Sequence, residues 1–310
     1  MNQRTRTLRW TVASRSTLEH VMKQLGQPMD AVLAGQVFVN DKRCQTPNAM
    51  VETGSRVEVF CGQQSVANVQ VLSSREGLIA VNKPAGLSTI PDHRGSAASL
   101  LGIVAKEIGE HDPTRIHPTS RLDRDVSGVV ILALGHDARE AMRGARTRNR
   151  YRRHYVALAA NPPTPQQGRI DIPIGSGHKA MVRATHGRDA QHAATRFATI
   201  QMRSCAAMVA AEPETGRTHQ IRVHLSHAGA PLLGDGKYGG VKVLRLPTGK
   251  VVSLERIALH AAWVEVELPG GEVWRVDAPI PETLSKVWMG AGGVDQDWHE
   301  AIEPLVITEA

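Results

Sequence analysis

The sequence is poor in cysteine and in aromatic residues. Its 310 residues include three cysteines, and phenylalanine, tryptophan and tyrosine together make up 4% of the chain. The cysteines are odd in number, widely spaced and without a CxxC pair, which argues against a disulfide framework or a cysteine zinc site. With so few rings, any surface that stacks on bases must use a handful of aromatic side chains or the planes of arginines.

Long apolar runs are missing as well. No stretch of about 18 apolar residues occurs, so the sequence predicts no membrane-spanning helix. The first residues are basic but lack the apolar core of a signal peptide, and the cytoplasm is therefore the expected location. A content of 41% hydrophobic and 22% charged residues is typical of a globular protein with a sizeable core.

Charge of one sign is in excess. The formal net charge is +7 at pH 7. A basic balance favours a polyanionic partner such as nucleic acid. Charge alone leaves open the alternative of a basic enzyme that acts on small substrates.

The pattern of apolar residues divides the chain into three predicted parts. Residues 17–62 combine a short helical pattern with the strand signatures GQVFVNDKR and VETGSRVEVF, which indicates a small α/β domain. Residues 74–289 contain apolar strands such as LIAV, GVVILAL, YVALAA and AAWVEVEL, which predict an α+β domain with a mixed, mostly antiparallel sheet. Residues 290–310 are acidic and are expected to form a surface extension.

The stretch SRLDRDVSGVVILAL, residues 120–134, joins a cluster of charges to an apolar strand. Its charged residues are Arg121, Asp123, Arg124 and Asp125. A core strand does not begin with ions unless these are paired or used, because burying an unpaired charge is costly. One interpretation places a carboxylate at the entrance of a buried strand, facing a cleft. The alternative is an ordinary solvated cluster of surface ions.

A second motif covers residues 214–240, with the sequence ETGRTHQIRVHLSHAGAPLLGDGKYGG. Its polar residues Arg217, Thr218, His219, Gln220, Arg222 and His224 interleave with apolar ones, which predicts a strand with one polar, functional face. The glycine-rich loop that follows would let the backbone approach a ligand closely. An ordinary strand and turn is the alternative. In a strand His219 and His224 fall on opposite faces, so we expect no metal site.

A third stretch, RTRNRYRRHYVALAA, concentrates arginines before a strand. The arginines are Arg146, Arg148, Arg150, Arg152 and Arg153. Arginine interleaved with tyrosine suits a phosphate backbone with stacked bases. A solvated helix face is the alternative, although the stretch itself contains no acid that could pair with the arginines.

Four stretches of the sequence resemble the ordered motifs of the RluA-type RNA pseudouridine synthases. They are LIAVNKPAGL, RLDRDVSGVVILAL, RRHYVALAA and GRTHQIRVHLSHAGAPLLGDGKYGG, and with their flanks they cover residues 76–280. Residues 17–62 resemble, more distantly, a small RNA-binding domain that occurs in a ribosomal small-subunit protein and is fused to many of these synthases. The resemblance implies the α+β fold of these enzymes.

The resemblance also implies roles for individual residues. Asp123 matches the catalytic aspartate, Tyr155 the active-site tyrosine, and Arg222 the basic residue that pairs with the aspartate. Leu225 matches an apolar position that lines the pocket, and Arg121 an arginine that helps to displace the target nucleotide. Ser120 stands where the family usually has histidine. Further RNA contacts are expected from Arg146, Arg148, Arg150, Arg152, Arg217, His219 and Gln220.

The implied reaction is the isomerisation of uridine to pseudouridine within RNA. A carbon–nitrogen bond breaks and a carbon–carbon bond forms, so nothing is oxidised or added and neither a cofactor nor a metal is expected. The expected partner is RNA, ribosomal RNA of the large subunit first and transfer RNA second; we expect a monomer and no membrane partner. Two other classes stay open: a non-catalytic RNA-binding protein of ribosome assembly on the same scaffold, and a hydrolase that uses Asp123 with a histidine.

Overall fold

The structure is a computed structural model that describes residues 6–33, 36–61, 69–91, 99–110, 112–177, 183–185 and 189–306. The chain forms two compact units, Met1–Arg124 with Ile131–Arg139, and Asp125–Val130 with Glu140–Ala310. The domain boundaries expected from the sequence stay a prediction, and parts of each predicted domain lie outside the described residues.

The first unit begins with short strands and helices. In chain order these are β1 (Arg6–Thr11), β2 (Ser16–Thr17), α1 (Leu18–Gln24), α2 (Asp30–Leu33), β3 (Val37–Val39), β4 (Lys42–Arg43), β5 (Met50–Val51) and β6 (Arg56–Cys61). They are followed by β7 (Gln70–Arg75), β8 (Leu78–Lys83), α3 (Leu100–Glu107), a 3-10 helix (Pro113–Arg115) and β9 (Ile116–Pro118). The chain passes between the units within β10 (Ser127–Leu134) and α4 (Gly135–Thr147).

The second unit is richer in strands. Its remaining elements are β11 (Tyr151–Ala159), β12 (Gln167–Asp171), β13 (Gly175–Ser176), β14 (Arg183–Ala184), β15 (Ala194–Arg203), β16 (Ala206–Pro213), α5 (Gln220–His227), β17 (Val243–Arg245), β18 (Val251–Ser253), β19 (Leu259–Glu267), β20 (Val273–Asp277), α6 (Glu282–Gly290) and α7 (Asp295–Ala301).

The N-terminal segment folds as its sequence pattern predicts. Strands β1, β6, β3 and β4 form an antiparallel sheet in that order. Asn40 and Asp41 make the tight turn between β3 and β4 with φ values of 49° and 64°, a conformation that asparagine and aspartate tolerate best among non-glycine residues. Leu18, Val21 and Met22 of α1 pack in one core with valines of the sheet. The predicted helix and strands of this segment are therefore confirmed.

The second unit carries a large, mostly antiparallel sheet. Strands β12, β15, β16, β11 and β19 lie side by side in that order, and β20 also pairs with β19. The start of β10 runs parallel to β19, with Ser127 opposite His260, so the sheet is mixed. Gly128 has φ +120°, and a Cβ there would overlap the carbonyl oxygen of Ala261. The predicted α+β fold class is confirmed.

One predicted element is wrong. Residues 220–227, read as a strand with a polar face, form helix α5. The alternation of polar and apolar residues has another cause, because residues 220–225 are all buried and the polar ones have partners inside the fold. Thr195 and the carbonyl of Ile172 engage the two ring nitrogens of His224. A helix buried on every side loses the polar face from which its period could be recognised.

The C-terminal tail also differs from the expected surface extension. Helix α7 buries Trp298 and Ala301 in the same core as Trp263 and Trp288. The Trp263 indole donates a hydrogen bond to the carbonyl of Ile302 at 2.7 Å. The acidic residues of the tail suggested a surface extension, but the apolar residues between them decide its packing.

A buried carboxylate holds the tail on the sheet. Glu212 of β16 accepts hydrogen bonds from the His154 ring and from the Leu305 amide, and it pairs with Arg152 and Arg196. Burial alone would raise the pKa of Glu212, but the bonds from His154 and Leu305 and the nearby positive charges outweigh it and hold the pKa at about 2.

A buried ammonium organises part of the first unit. The Lys83 side chain, at the end of β8, is 0% exposed. Its Nζ donates to the carbonyls of Leu87 at 2.6 Å, Pro84 at 2.9 Å and Arg124 at 3.1 Å. One charge therefore joins the turn after β8 to the loop that precedes β10, because each carbonyl satisfies one of the three N–H donors of the ammonium.

Among the described residues, the structure shows no helix that is long and apolar enough to cross a membrane.

Replacing Lys83 with methionine keeps the length of the side chain and removes the charge. Three backbone carbonyls then lose a donor, and we expect the free energy of unfolding to fall by about 2–4 kcal/mol. Urea denaturation measures the change. The control is Lys23→Met, on an exposed position of α1, where we expect a change within about 0.5 kcal/mol. Equal effects of the two substitutions would mean that the ammonium does not stabilise the turn and the loop.

Glu212 should make the stability depend on pH in the acid range. Its pKa is about 2 in the folded protein against an ordinary value of 4.5. The stabilisation is therefore complete above about pH 4.5 and is lost as the pH falls towards about 2. We expect the free energy of unfolding of Glu212→Gln to fall less than that of the wild type over this range. Glu303→Gln, on an exposed residue of the same tail, should keep the wild-type slope; a wild-type slope for Glu212→Gln would contradict the assignment.

Candidate active site

Asp123 lies in a loop whose backbone is held on both sides. The Thr89 hydroxyl donates to the carbonyl of Leu122 at 2.8 Å and accepts the amide of Leu122 at 3.0 Å. On the other side, the Arg124 carbonyl accepts from Lys83 and from the Gly86 amide. The backbone on both sides of Asp123 is thus held, and the Asp123 side chain is partly buried. A carboxyl on a loop held in this way suits a nucleophile or a stabiliser of positive charge.

The exit of this loop is held separately, in the second unit. The Ser127 hydroxyl accepts from Arg256 Nη2 at 2.8 Å and lies 2.7 Å from His260 Nδ1. Burial, with the neighbouring Arg256 charge, lowers the pKa of His260 to about 3. Burial also lowers the pKa of Arg256, to about 10, although Asp125 opposes this. The imidazole is therefore neutral, and its hydrogen bond with Ser127, together with the bond from Arg256, positions the start of β10.

Tyr155 stands on β11 between two strands of small residues. It is buried, and it lies opposite Ala211 of β16 and Ala261 of β19. The register against β19 shifts by one residue between His154 and Tyr155, a bulge of the kind that re-aims side chains beside active sites. The alanines leave room for the ring, since directly opposed residues share one face of the sheet.

The face of β11 that bears Tyr155 also bears a cluster of cations and rings. Every second residue of β11 lies on this face, namely Tyr151, Arg153 and Tyr155. The guanidiniums of Arg146 and Arg153 lie 5.5 and 5.9 Å from the Tyr151 ring centroid. Burial lowers the pKa of Arg146 and the Arg153 charge lowers it further, while Tyr151 and Tyr155 oppose this. Arg153 donates to the carbonyls of Pro213 and Thr215, so it anchors the loop that leads to α5.

Arg222 is held on α5 by a buried ion pair. Its Nε and Nη2 donate to the two carboxylate oxygens of Asp235 at 2.6 and 2.8 Å, and the residues are 4% and 2% exposed. The Tyr238 ring centroid lies 4.9 Å from the guanidinium carbon. A bidentate pair of this kind fixes the plane of the guanidinium as well as its charge. The pairing of Arg222 with Asp123, implied by the resemblance, stays a prediction.

The predicted RNA contacts before and on α5 have partners within the fold. Gln220 uses its amide fully, with donors to Ala194 and Thr195 and acceptors for Thr215 and Arg217. A buried amide with four hydrogen bonds has none left for RNA.

Arg217, His219 and Leu225 have different surroundings. Arg217 donates to Gln191 and to the carbonyl of His192. His219 has φ +61° and its Nδ1 lies 2.7 Å from the Tyr238 hydroxyl. Leu225 is buried completely.

Some of the arginines expected to bind RNA are paired with carboxylates, and others are exposed. Arg152 pairs with Glu212 and Glu265, and Arg150 pairs with Glu267. The motif contains no acid, so distant strands supply these partners. Arg121 and Arg148 are exposed and remain candidates for contact with RNA.

Two residues that shape the site were missed by reasoning from the sequence. Lys83 ends an apolar strand. A charge next to an apolar strand is the same signal that singled out the charges before β10. Asp235 is the sole acidic residue between Glu214 and Glu255, so it is the first acid that follows Arg222 in the sequence. Within the described residues, no three His, Cys, Asp or Glu side chains come together as a metal-binding group.

Comparison with known proteins agrees with the geometry. The family described as RNA pseudouridylate synthase matches residues 77–227. The uncharacterized RNA pseudouridine synthase YjbO of Bacillus subtilis (strain 168) is 32% identical over 72% of this chain and 76% of its own length. Ribosomal large subunit pseudouridine synthase C of Escherichia coli (strain K12) is 30% identical over 81% and 83%.

A solved structure is similar as well. Human RNA Pseudouridylate Synthase Domain Containing 4 is 26% identical, with a TM-score of 0.53 over 74% of this chain and 92% of that one. The extent of these matches, together with the aspartate loop before β10 and the paired arginine on α5, leads to one conclusion: the chain belongs to the RluA-type RNA pseudouridine synthase family and is an isomerase.

Proposed function

We propose that this enzyme converts uridine to pseudouridine in ribosomal RNA of the large subunit. The observation that carries the choice of RNA is the similarity to ribosomal large subunit pseudouridine synthase C, which extends over 81% of this chain. The excess of positive charge supports an RNA partner in general. The cytoplasmic location stays a prediction.

Asp123 is the proposed catalytic residue. Its carboxylate attacks the ribose carbon C1′ or stabilises positive charge there while the bond from C1′ to uracil N1 breaks. The detached uracil turns and C5 bonds to C1′, displacing the carboxylate where it has bonded there. The C5 proton leaves to solvent while N1 gains a proton, so atoms and electrons balance. The backbone bonds of Leu122 and Arg124 support this role, because they hold in place the loop that carries the carboxyl.

Arg222 is the proposed partner that keeps the catalytic carboxylate ionised. Burial favours the neutral form of a carboxyl group, and a guanidinium nearby favours the charged form. A guanidinium has five N–H donors, so its bidentate pair with Asp235 does not exhaust it. Asp235 serves as a positioning residue, because it sets the plane in which the remaining donors point.

Tyr155 and the exposed arginines are proposed to bind the target nucleotide. The base must leave its stack to reach a side chain in a pocket, at a cost of a few kcal/mol. Tyr155 offers a ring face on which the uracil stacks and a hydroxyl that can move a proton. Arg121 fills the space that the base leaves, and Arg146 and Arg148 hold phosphates.

A hydrolase built on Ser127 and His260, as distinct from one that uses Asp123 with a histidine, has a specific weakness. Ser127 and His260 form a hydroxyl–imidazole pair of the kind that hydrolases use. Both are buried, and the Ser127 oxygen also accepts a bond from Arg256. A hydroxyl occupied in this way positions a strand; it is not presented to a substrate.

Release of tritium from RNA that carries 5-tritiated uridine tests the reaction directly. The wild type should release label, because the C5 proton is lost when the carbon–carbon bond forms. Asp123→Asn should lower the rate by about 1,000-fold or more, since it removes the reacting group. The matched control is Asp125→Asn, on an exposed residue two positions along the same loop, which should retain the wild-type rate. Equal release by wild type and Asp123→Asn would refute the catalytic assignment.

The RNA target is tested by mapping pseudouridines in cells that lack the gene. We expect one or more sites to disappear from large-subunit ribosomal RNA, to return with the wild-type gene, and to stay absent with Asp123→Asn. Loss of sites from transfer RNA alone would overturn the proposed target while leaving the chemistry intact.

A further inference from the structure

The hairpin of β17 and β18 is anchored in the core but turns one face outward. Leu244 and Leu254 pack in the main apolar core of the second unit. The Leu254 amide donates to the Lys242 carbonyl at 2.8 Å, and the Leu246 amide donates to the Lys250 carbonyl at 2.8 Å. The hairpin is therefore held in place by its buried leucines, while Val243, Arg245 and Val251 are exposed.

The outward positions carry positive charge. Lys237, Lys242, Arg245 and Lys250 are all exposed. No acidic residue occurs between Asp235 and Glu255, and Asp235 is buried against Arg222. In the part of the chain that the structure describes, none of these four cations has an ion-pair partner, whereas Arg152, Arg196 and Arg203 are each paired with a carboxylate. The hairpin and the residues that lead into it thus carry four exposed cations without a carboxylate partner among the described residues.

The same outer face includes exposed apolar residues. Val243 and Val251 are 57% and 51% exposed, and Arg245 lies directly opposite Val251. Exposed valines do not stabilise a charged surface that contacts only water. The sugars and bases of a nucleic acid have apolar faces that can cover such valines. Charge complementarity selects the occupant: unpaired cations fit a polyanion.

We propose that the β17–β18 hairpin, with Lys237 and Lys242 at its base, is an RNA-binding surface of this enzyme. It holds phosphates of the substrate RNA through Lys242, Arg245 and Lys250. The proposal rests on the proposed function in one respect, since that function supplies RNA as the polyanion. Lys237 follows Asp235 by two residues, so the hairpin continues directly from the partner of Arg222.

Salt-dependent binding of a labelled stem-loop RNA to the full-length protein tests the proposal. Phosphate contacts do not depend on sequence, so any structured RNA reports them. Lys242→Gln and Lys250→Gln should each flatten the slope of log affinity against log salt by about 0.7–0.9, and together by about 1.5. Both positions are exposed, so the thermal midpoint should not change.

The control removes one charge elsewhere in the same unit. Lys286 is 73% exposed and pairs with Glu282 on α6; Lys286→Gln matches each single variant in net charge and should leave the slope unchanged. Slopes for the hairpin variants that equal that of Lys286→Gln would overturn the proposal and point to another partner, such as a protein. If the slopes flatten but the wild type releases no tritium from 5-tritiated uridine, the hairpin inference stands and the proposed function fails.

Discussion

The buried ammonium of Lys83 is the interaction on which the arrangement of the Asp123 loop depends. A charge that is 0% exposed must be satisfied by polar groups, and here three backbone carbonyls satisfy it. Two of these carbonyls belong to the turn after β8 and the third to Arg124. The requirement to solvate one charge therefore brings together segments that are 41 residues apart in sequence. Asp123, the neighbour of Arg124, is fixed in consequence.

In the second unit, buried charges are stabilised by ion pairs. Arg222 and Asp235 enter the interior together, joined by two hydrogen bonds, and neither could be buried alone at acceptable cost. Glu212 is stabilised in its charged form by His154, Arg152 and Arg196, and its remaining hydrogen bond reaches the amide of Leu305. Pairing of buried charges thus orients a functional arginine in one place and attaches the C-terminal tail in another.

The pairing of charges also distinguishes arginines that have a carboxylate partner within the fold from cations that do not. Those of β11 looked like RNA contacts because the stretch contains no acid, yet Arg152 finds Glu212 and Glu265 across the sheet. Cations on the β17–β18 hairpin attract less attention in the sequence, but the fold gives them no such carboxylates. Availability to RNA is therefore a property of the folded surface, since it depends on which acids the neighbouring strands bring near.

The sequence by itself determined the class of fold, the apolar strands β8, β10, β11 and β19, the tight turn at Asn40 and Asp41, and the family. It also singled out Asp123, Tyr155 and Arg222 as candidates, because charges and rings next to buried strands are conspicuous. Only the tertiary structure decided that residues 220–227 are a helix, because a segment buried on all sides shows no polar face. It alone decided the partners of Lys83, Arg222 and Arg152 and the docking of the tail. These contacts join residues far apart in the chain, such as Arg152 and Glu212 at a separation of 60, and local periodicity carries no information about such pairs.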